Sequence, residues 1–271
     1  MIKIGKTQKL AILEKTKTGL KLEGGLEIED SKGEVGDFLE VFVYNDGESI
    51  VATESKPLIE LGGFETLRVS EINMVGAFCD MGIEKDLLIP YRNQAKDMIP
   101  NRDYVIHMYI DEMTNRLVGT AKLKNYLVSI AEDDIAFGQE VDLIVYGETK
   151  LGYVVIINQK YEGLIYESDV HEILRHGQKL KGYIKPIRED GKIDVSLTPL
   201  GHQSIEPNGQ KILDMLKKED GFLPFNDKSD PDAIRSKFRL SKKLFKKSVG
   251  GLYKKRLITM EKDGIRLADK N

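Results

Sequence analysis

Between residues 78 and 122 the chain carries Phe78, Tyr91, His107, Tyr109, Arg116 and Lys122. A second set, between 153 and 192, holds Tyr153, Tyr161, Tyr166, Lys185, Arg188 and Lys192. Rings interleaved with cations suit single-stranded nucleic acid, because rings stack on bases at roughly 1–3 kcal/mol each and cations track phosphates. The competing reading is that each ring fills the core or rim of a small β-barrel. A third set is purely cationic: Lys242, Lys243, Lys246, Lys247, Lys254, Lys255 and Arg256. It lies in residues 235–256, a stretch with ten Lys or Arg and no Asp or Glu. Lysine is a point charge rather than a bidentate base reader. Salt-dependent backbone binding with little sequence preference is therefore expected. A solvated charged face and a membrane-surface helix are the alternatives.

Catalytic chemistry finds no foothold. Gly5-Lys6-Thr7 resembles the end of a phosphate loop, but the sequence places no glycine five residues upstream of Gly5. There is no G-x-S-x-G elbow and no H-E-x-x-H, and His107, His171, His176 and His202 lack metal-ligand spacing. Cys79 stands beside Asp80 in a strand-like run and reads as a packed core thiol. No catalytic residue, metal or cofactor is expected, and the chain reads as a non-enzyme.

The elements that must position these residues are short and β-rich from Lys3 to about Gln203. Runs at 39–44, 104–110, 141–146 and 153–157 carry the Val, Ile, Leu and Tyr of strands. Asp46-Gly47 and Asp190-Gly191 mark tight hairpin turns. Without long helical periodicity, antiparallel barrels or sandwiches are favoured over an alternating parallel sheet. The pattern repeats loosely three times: a strand reaches a glycine, continues, loops, and ends in a strand, turn, strand unit. Each copy is the size of a five-stranded OB barrel, with the glycines where strands bend at barrel corners. After Pro207 the texture turns helical. Residues 210–218 form an amphipathic stretch, and Asp230-Pro231-Asp232 starts a helix over 233–238. Ser241 caps a third helix with Leu244, Phe245, Val249, Leu252 and Tyr253 as its stripe. A hairpin over 257–267 follows, giving the winged-helix order. The expected domains are 1–63, 64–137 and 138–205 for the barrels and 206–271 for the winged helix, joined by short linkers with limited freedom.

The 271 residues suffice for several domains, and 41% hydrophobic with 31% charged residues is a globular balance. The net charge of −3 hides an asymmetry. Residues 207–271 hold 17 Lys and Arg against 9 Asp and Glu, and the remainder 24 against 35. A basic end of this kind points to a nucleic-acid or membrane contact, and in the DNA-binding alternative the acidic barrels recruit a protein partner. One cysteine, no signal-peptide pattern and no long apolar run point to the cytoplasm. Nothing indicates an oligomer, so a monomer is expected.

Several stretches resemble a known family. Val75-Gly76-Ala77-Phe78 followed by Leu88-Ile89-Pro90 looks like the RNA-binding barrel named after ribosomal protein S1. Residues 41–57 (VFVYNDGESIVATESKP), 76–90 (GAFCDMGIEKDLLIP) and 161–166 (YEGLIY) resemble the conserved virulence factor B family of bacterial proteins. The resemblance spans essentially the whole chain. It implies three S1-like OB barrels followed by a winged helix-turn-helix, RNA binding and a regulatory role. S1-type barrels carry an aromatic two residues after the strand glycine, which Phe78 supplies. Val154 and Lys21 stand there in barrels three and one. Pro90 and Tyr166 occupy a position where histidine is common, and Arg116 and Lys192 match a late basic residue. The resemblance thus assigns RNA contacts to barrels two and three with the winged helix. The alternatives are a DNA-binding regulator acting through the winged helix and a ribosome- or RNase-associated adaptor.

Overall fold

The computed structural model describes residues 2–170, 172–199, 207–254 and 257–268, and for Pro207 and Lys254 only the backbone. His171 and His202 therefore lie outside the described residues. The first barrel is built from β1 (Lys6–Lys15), β2 (Gly19–Leu22), β3 (Glu27–Glu29), β4 (Phe38–Asn45) and β5 (Ile50–Thr53). The second uses β6 (Phe64–Ile72), β7 (Gly76–Cys79), β8 (Leu87–Pro90), β9 (Asp103–Asp111) and β10 (Arg116–Thr120). The third uses β11 (Glu140–Thr149), β12 (Gly152–Ile157), β13 (Tyr161–Tyr166), β14 (Lys179–Ile184) and β15 (Ile193–Ser196). In each, the first strand pairs with the second and the fourth, and the third and fifth lie side by side to close the wall. That is the strand order of an OB barrel.

The three glycines that open the second strands explain the repeat. A Cβ on Gly19, Gly76 or Gly152 would stand 1.9, 2.3 or 2.1 Å from the carbonyl oxygen of Ile28, Ile89 or Ile165 on the third strand. Gly76 and Gly152 also take positive φ, at 155° and 142°. Only a residue without a side chain lets the two strands approach so closely at the corner.

The barrels share apolar cores. In β4, Val41 and Val43 point into the first barrel, while Phe42 and Tyr44 on the opposite face join the core of the second. Phe64, Val105 and Leu123 of the second barrel meet Ile144 and Ile156 of the third. Residues 1–200 accordingly form one compact unit and residues 201–271 another.

The C-terminal unit holds α1 (Pro207–Lys218), β16 (Phe222–Leu223), α2 (Pro231–Phe238), α3 (Lys242–Lys254), β17 (Ile258–Met260) and β18 (Ile265–Leu267). Asp230 caps α2 by accepting from the Asp232 and Ala233 N–H groups, and Ser241 Oγ accepts from Leu244 N at 3.3 Å. Ile212, Leu216, Ile234, Phe245, Val249 and Leu252 bury themselves against Ile258 and Ile265. The expected hairpin is in fact a three-stranded sheet, because β16 adds to β18. Tyr253, assigned to the apolar stripe, is 53% exposed, since Leu252 one residue earlier fills the core position.

Candidate nucleic-acid interface

Phe78 leaves the barrel-two core by strand alternation. Ala77 and Cys79 point inward, and Phe78 with its cross-strand partner Leu88 faces outward. The ring is half-buried and lines a cavity of about 550 Å³ together with Leu88, Arg92, Met113 and Arg116. The first barrel contributes Tyr44, Asn45 and Asp46 from the β4–β5 hairpin to the same cavity. That hairpin is fastened to barrel two by three hydrogen bonds. Arg116 Nη2 donates to the Gly47 carbonyl at 3.0 Å, Lys85 Nζ to the Asp46 carbonyl at 2.6 Å, and Asn45 Nδ2 to the Asn115 carbonyl at 3.3 Å. Gly47, at φ 111°, leaves the room that the guanidinium occupies. Arg92 pairs with Asp111 at 2.9 Å. Asp111 is held below the usual carboxylate range, first by the Thr114 hydroxyl and backbone N–H. Met74 and Met113 stand almost fully exposed, Met113 in the cavity wall and Met74 beside Val75 of that wall.

Not every ring assigned by sequence reaches this face. Tyr91 is exposed, and its hydroxyl donates to the Asn73 carbonyl at 2.7 Å. His107 is buried: its ring lies 4.5 Å from Phe64 and 4.2 Å from Tyr126. It is thus packing, because the 3-10 turn Leu123–Tyr126 lays Tyr126 over it. Tyr109 accepts from Asn93 Nδ2 at 2.8 Å and lies 5.6 Å from Tyr126. Lys122 is exposed.

In barrel three the rings are largely spent on structure. Tyr161 is sealed in the core, and its hydroxyl donates to Asp134 while Lys160 sits 4.6 Å over the ring. It shares strand parity with Gly163 and Ile165, which also point inward. Tyr153 packs against the same core, so Val154 takes the outward place that Phe78 has in barrel two. Tyr166 does face outward, with Lys185 at 5.3 Å over its ring and Lys185 paired to Asp169. Arg188 and Lys192 converge on Asp190 at 3.5 and 3.1 Å. Ile144 and Ile156, on the outer face, are covered by barrel two.

On α3, Lys243 and Lys246 are exposed, and Lys247 is exposed as well. The linear count of 235–256 found no acidic partner, and folding corrects that. Asp227 lies 3.8 Å from Lys246, and Glu219 lies 2.8 Å from Lys237. Lys242 donates to the Ser229 carbonyl at 2.8 Å. Arg235, Arg239 and Lys243 are exposed and form no ion pair among the described residues. Lys255, Arg256 and the side chain of Lys254 lie outside the described residues.

Sequence reasoning missed Tyr44, Leu88, Arg92, Met113 and Tyr126. Leu88 was within reach, because it sits two residues before Pro90 in the strand that pairs with β7. Tyr126 left no periodic signal. The Cys79 thiol is pushed up to about 12, chiefly by burial and then by Asp86 rather than the neighbouring Asp80.

Residues 210–267 match the model of the CvfB-like winged helix domain. Conserved virulence factor B of Staphylococcus epidermidis (strain ATCC 12228) is 30% identical over 258 residues, 93% of this chain and 87% of that protein. The chain belongs to the conserved virulence factor B family. The Staphylococcus aureus (strain USA300) member is 29% identical over 250 residues, 89% of this chain and 83% of its own. A solved structure, that of a multidomain protein with nucleic acid binding domains from Streptococcus pneumoniae, aligns over 97% of this chain and 98% of its own. It does so at 24% identity and a TM-score of 0.49. Among the described residues no helix is long and apolar enough to cross a membrane.

Proposed function

We propose that this family member is a non-catalytic RNA-binding regulator that acts in the cytoplasm. The observation that carries the reading is the outward, half-buried ring of Phe78 in a cavity with Arg92 and Arg116. An aromatic face bounded by guanidinium groups receives an unstacked base and its phosphate, which is how single strands are held without a catalytic group. Barrel one supports the site by supplying the Tyr44–Asp46 wall. Winged-helix lysines add phosphate contacts of low sequence preference.

The test is a titration of single-stranded RNA, duplex RNA and duplex DNA at one fixed salt concentration. Single-stranded RNA should bind tightest. Phe78→Ala should weaken it roughly 5- to 150-fold, the loss of one stacked base. Unchanged RNA affinity in Phe78→Ala would sink the assignment. A second reading, DNA binding through the winged helix, is favoured by the exposed Lys243 and Lys246 on an α3 that carries no acidic residue. Duplex DNA would then bind tightest, and Lys243→Glu/Lys246→Glu, not Phe78→Ala, would abolish it.

A further inference from the structure

A second cavity, of about 540 Å³, opens between barrels two and three. Its volume lies within the roughly 300–1,000 Å³ usual for small-molecule sites. Barrel two lends Lys96, Arg102 and Tyr104, and barrel three lends Tyr146, Glu148, Tyr153 and His176. This cavity and the Phe78 cavity share no lining residue.

The chemistry of the walls is specific. Lys96 and Arg102 are exposed, and neither forms an ion pair among the described residues. Asp103, which lines the same cavity, is paired with Arg68 at 3.0 Å. The Tyr153 hydroxyl has no hydrogen-bond partner among the described residues. The β11 strand bulges between Val145 and Gly147, and Tyr146 there packs its ring against the apolar cluster between the two barrels while its hydroxyl donates to Glu162. A bulge re-aims a side chain, here toward the junction.

His176 fixes the two walls together. Its Nε2 accepts from the Val105 N–H of barrel two at 3.4 Å, and it bonds the Tyr146 backbone of barrel three. Thr66 Oγ1 also donates to the Gly177 carbonyl at 2.9 Å, and Lys179 pairs with Glu65 at 2.6 Å. The β8–β9 loop, which carries Lys96 and Arg102, and the β13–β14 loop, which carries His176, are thus tied across the junction by contacts on both barrels.

We propose that this junction binds a nucleoside phosphate. Lys96 and Arg102 take the phosphate, the half-buried rings of Tyr104, Tyr146 and Tyr153 offer the base only the faces that their core packing leaves open, and Glu148 at the rim accepts from the ribose hydroxyls. The site stands apart from the Phe78 reading and does not rest on it. Its ligand comes either as a free nucleotide or as one unit of an RNA strand.

The test is an amide-resolved NMR titration of the full chain with AMP, UMP, adenosine and inorganic phosphate. AMP or UMP should shift amides at 102–105 and 147–148, and should bind at least fivefold tighter than adenosine or phosphate alone. Arg102→Glu with Lys96→Glu should weaken the nucleotide tenfold or more at an unchanged melting temperature, with Arg102→Gln intermediate. Phe78→Ala should leave nucleotide affinity within twofold. Competition then separates the sources: a single-stranded RNA that displaces AMP shows that the site reads a strand, and joint binding shows a free-nucleotide site. Unmoved junction amides at millimolar nucleotide, or charge reversals without effect, would overturn the proposal. Either failure leaves the RNA titration of Phe78→Ala as a separate result.

Discussion

The imidazole of His107 is wedged between Phe64 and Tyr126, and its Nδ1 has no hydrogen-bond partner among the described residues. Burial pushes its pKa down to about 4 from the ordinary 6.5, against a smaller upward pull from the Gly63 backbone. In the unfolded chain the same group protonates near 6.5. The unfolded state therefore binds more protons between pH 6.5 and 4. The stability held above pH 6.5 is lost as the pH falls through that window, by about 3 kcal/mol in all. His176, lowered chiefly by burial, adds to the slope with the same sign. His107→Phe keeps the ring sandwich, and the Gly63 carbonyl retains its bond from Met108 N at 3.1 Å. Urea midpoints at pH 7 and pH 5 should thus differ by at most half as much in His107→Phe as in the parent. An identical difference would show that His107 does not govern acid stability. Single residues were only partly legible. The resemblance to S1-type barrels singled out Phe78, which the fold turns outward, whereas Tyr161 and His107 looked the same as surface rings. Their burial depends on Asp134 and Tyr126, which approach through the tertiary fold.

The recurring element is the strand-two corner, where a glycine presses on the third strand. Gly76→Ala places a Cβ 2.3 Å from the Ile89 carbonyl at a φ of 155°. The cost should exceed about 1 kcal/mol, because strand separation adds to backbone strain. Gly62 is the matched control: it has φ 81° with nothing within 4 Å of an added Cβ, so Gly62→Ala carries backbone strain alone. Chemical denaturation of the two variants should rank Gly76→Ala well below Gly62→Ala. The reverse order would remove the corner from the account of the repeat. Since β7 carries Phe78, Gly76→Ala should also weaken RNA binding. At this scale the sequence was most readable. Strand runs at 39–44 and 104–110 and the Asp230-Pro231 helix start follow from local periodicity and capping, which need no distant partner. The short β16 escaped, because two residues carry no period and the strand exists only by pairing with β18.

At the scale of the whole molecule, the three barrels form one compact unit whose outer faces pack in shared apolar clusters. The signal for this was present in Val41-Phe42-Val43. A continuous apolar run marks a strand buried on both sides, not a barrel strand with one wet face. What the run could not name was the partner of the second face, since that depends on Ile59, Leu61 and the barrel-two strands folding against it. Pairings such as Arg116 with the Gly47 carbonyl join residues far apart in sequence and leave no trace in spacing. Phe42 therefore decides whether barrels one and two unfold together. It is 1% exposed, belongs by strand to barrel one and packs by side chain in barrel two. Phe42→Ala should cost about 3–5 kcal/mol. Native-state hydrogen exchange should show amides of β1 and of β9 losing protection together, since Phe42 lies on β4, the backbone partner of β1, and its side chain packs in the core that β9 lines. A barrel-one core change such as Val43→Ala should act on β1 first and reach β9 less. If Phe42→Ala instead lowered protection in β1 and β4 alone, barrels one and two would be separate folding units. The Tyr44–Asp46 wall of the Phe78 cavity would then be a loose flap, not a fixed side of the site.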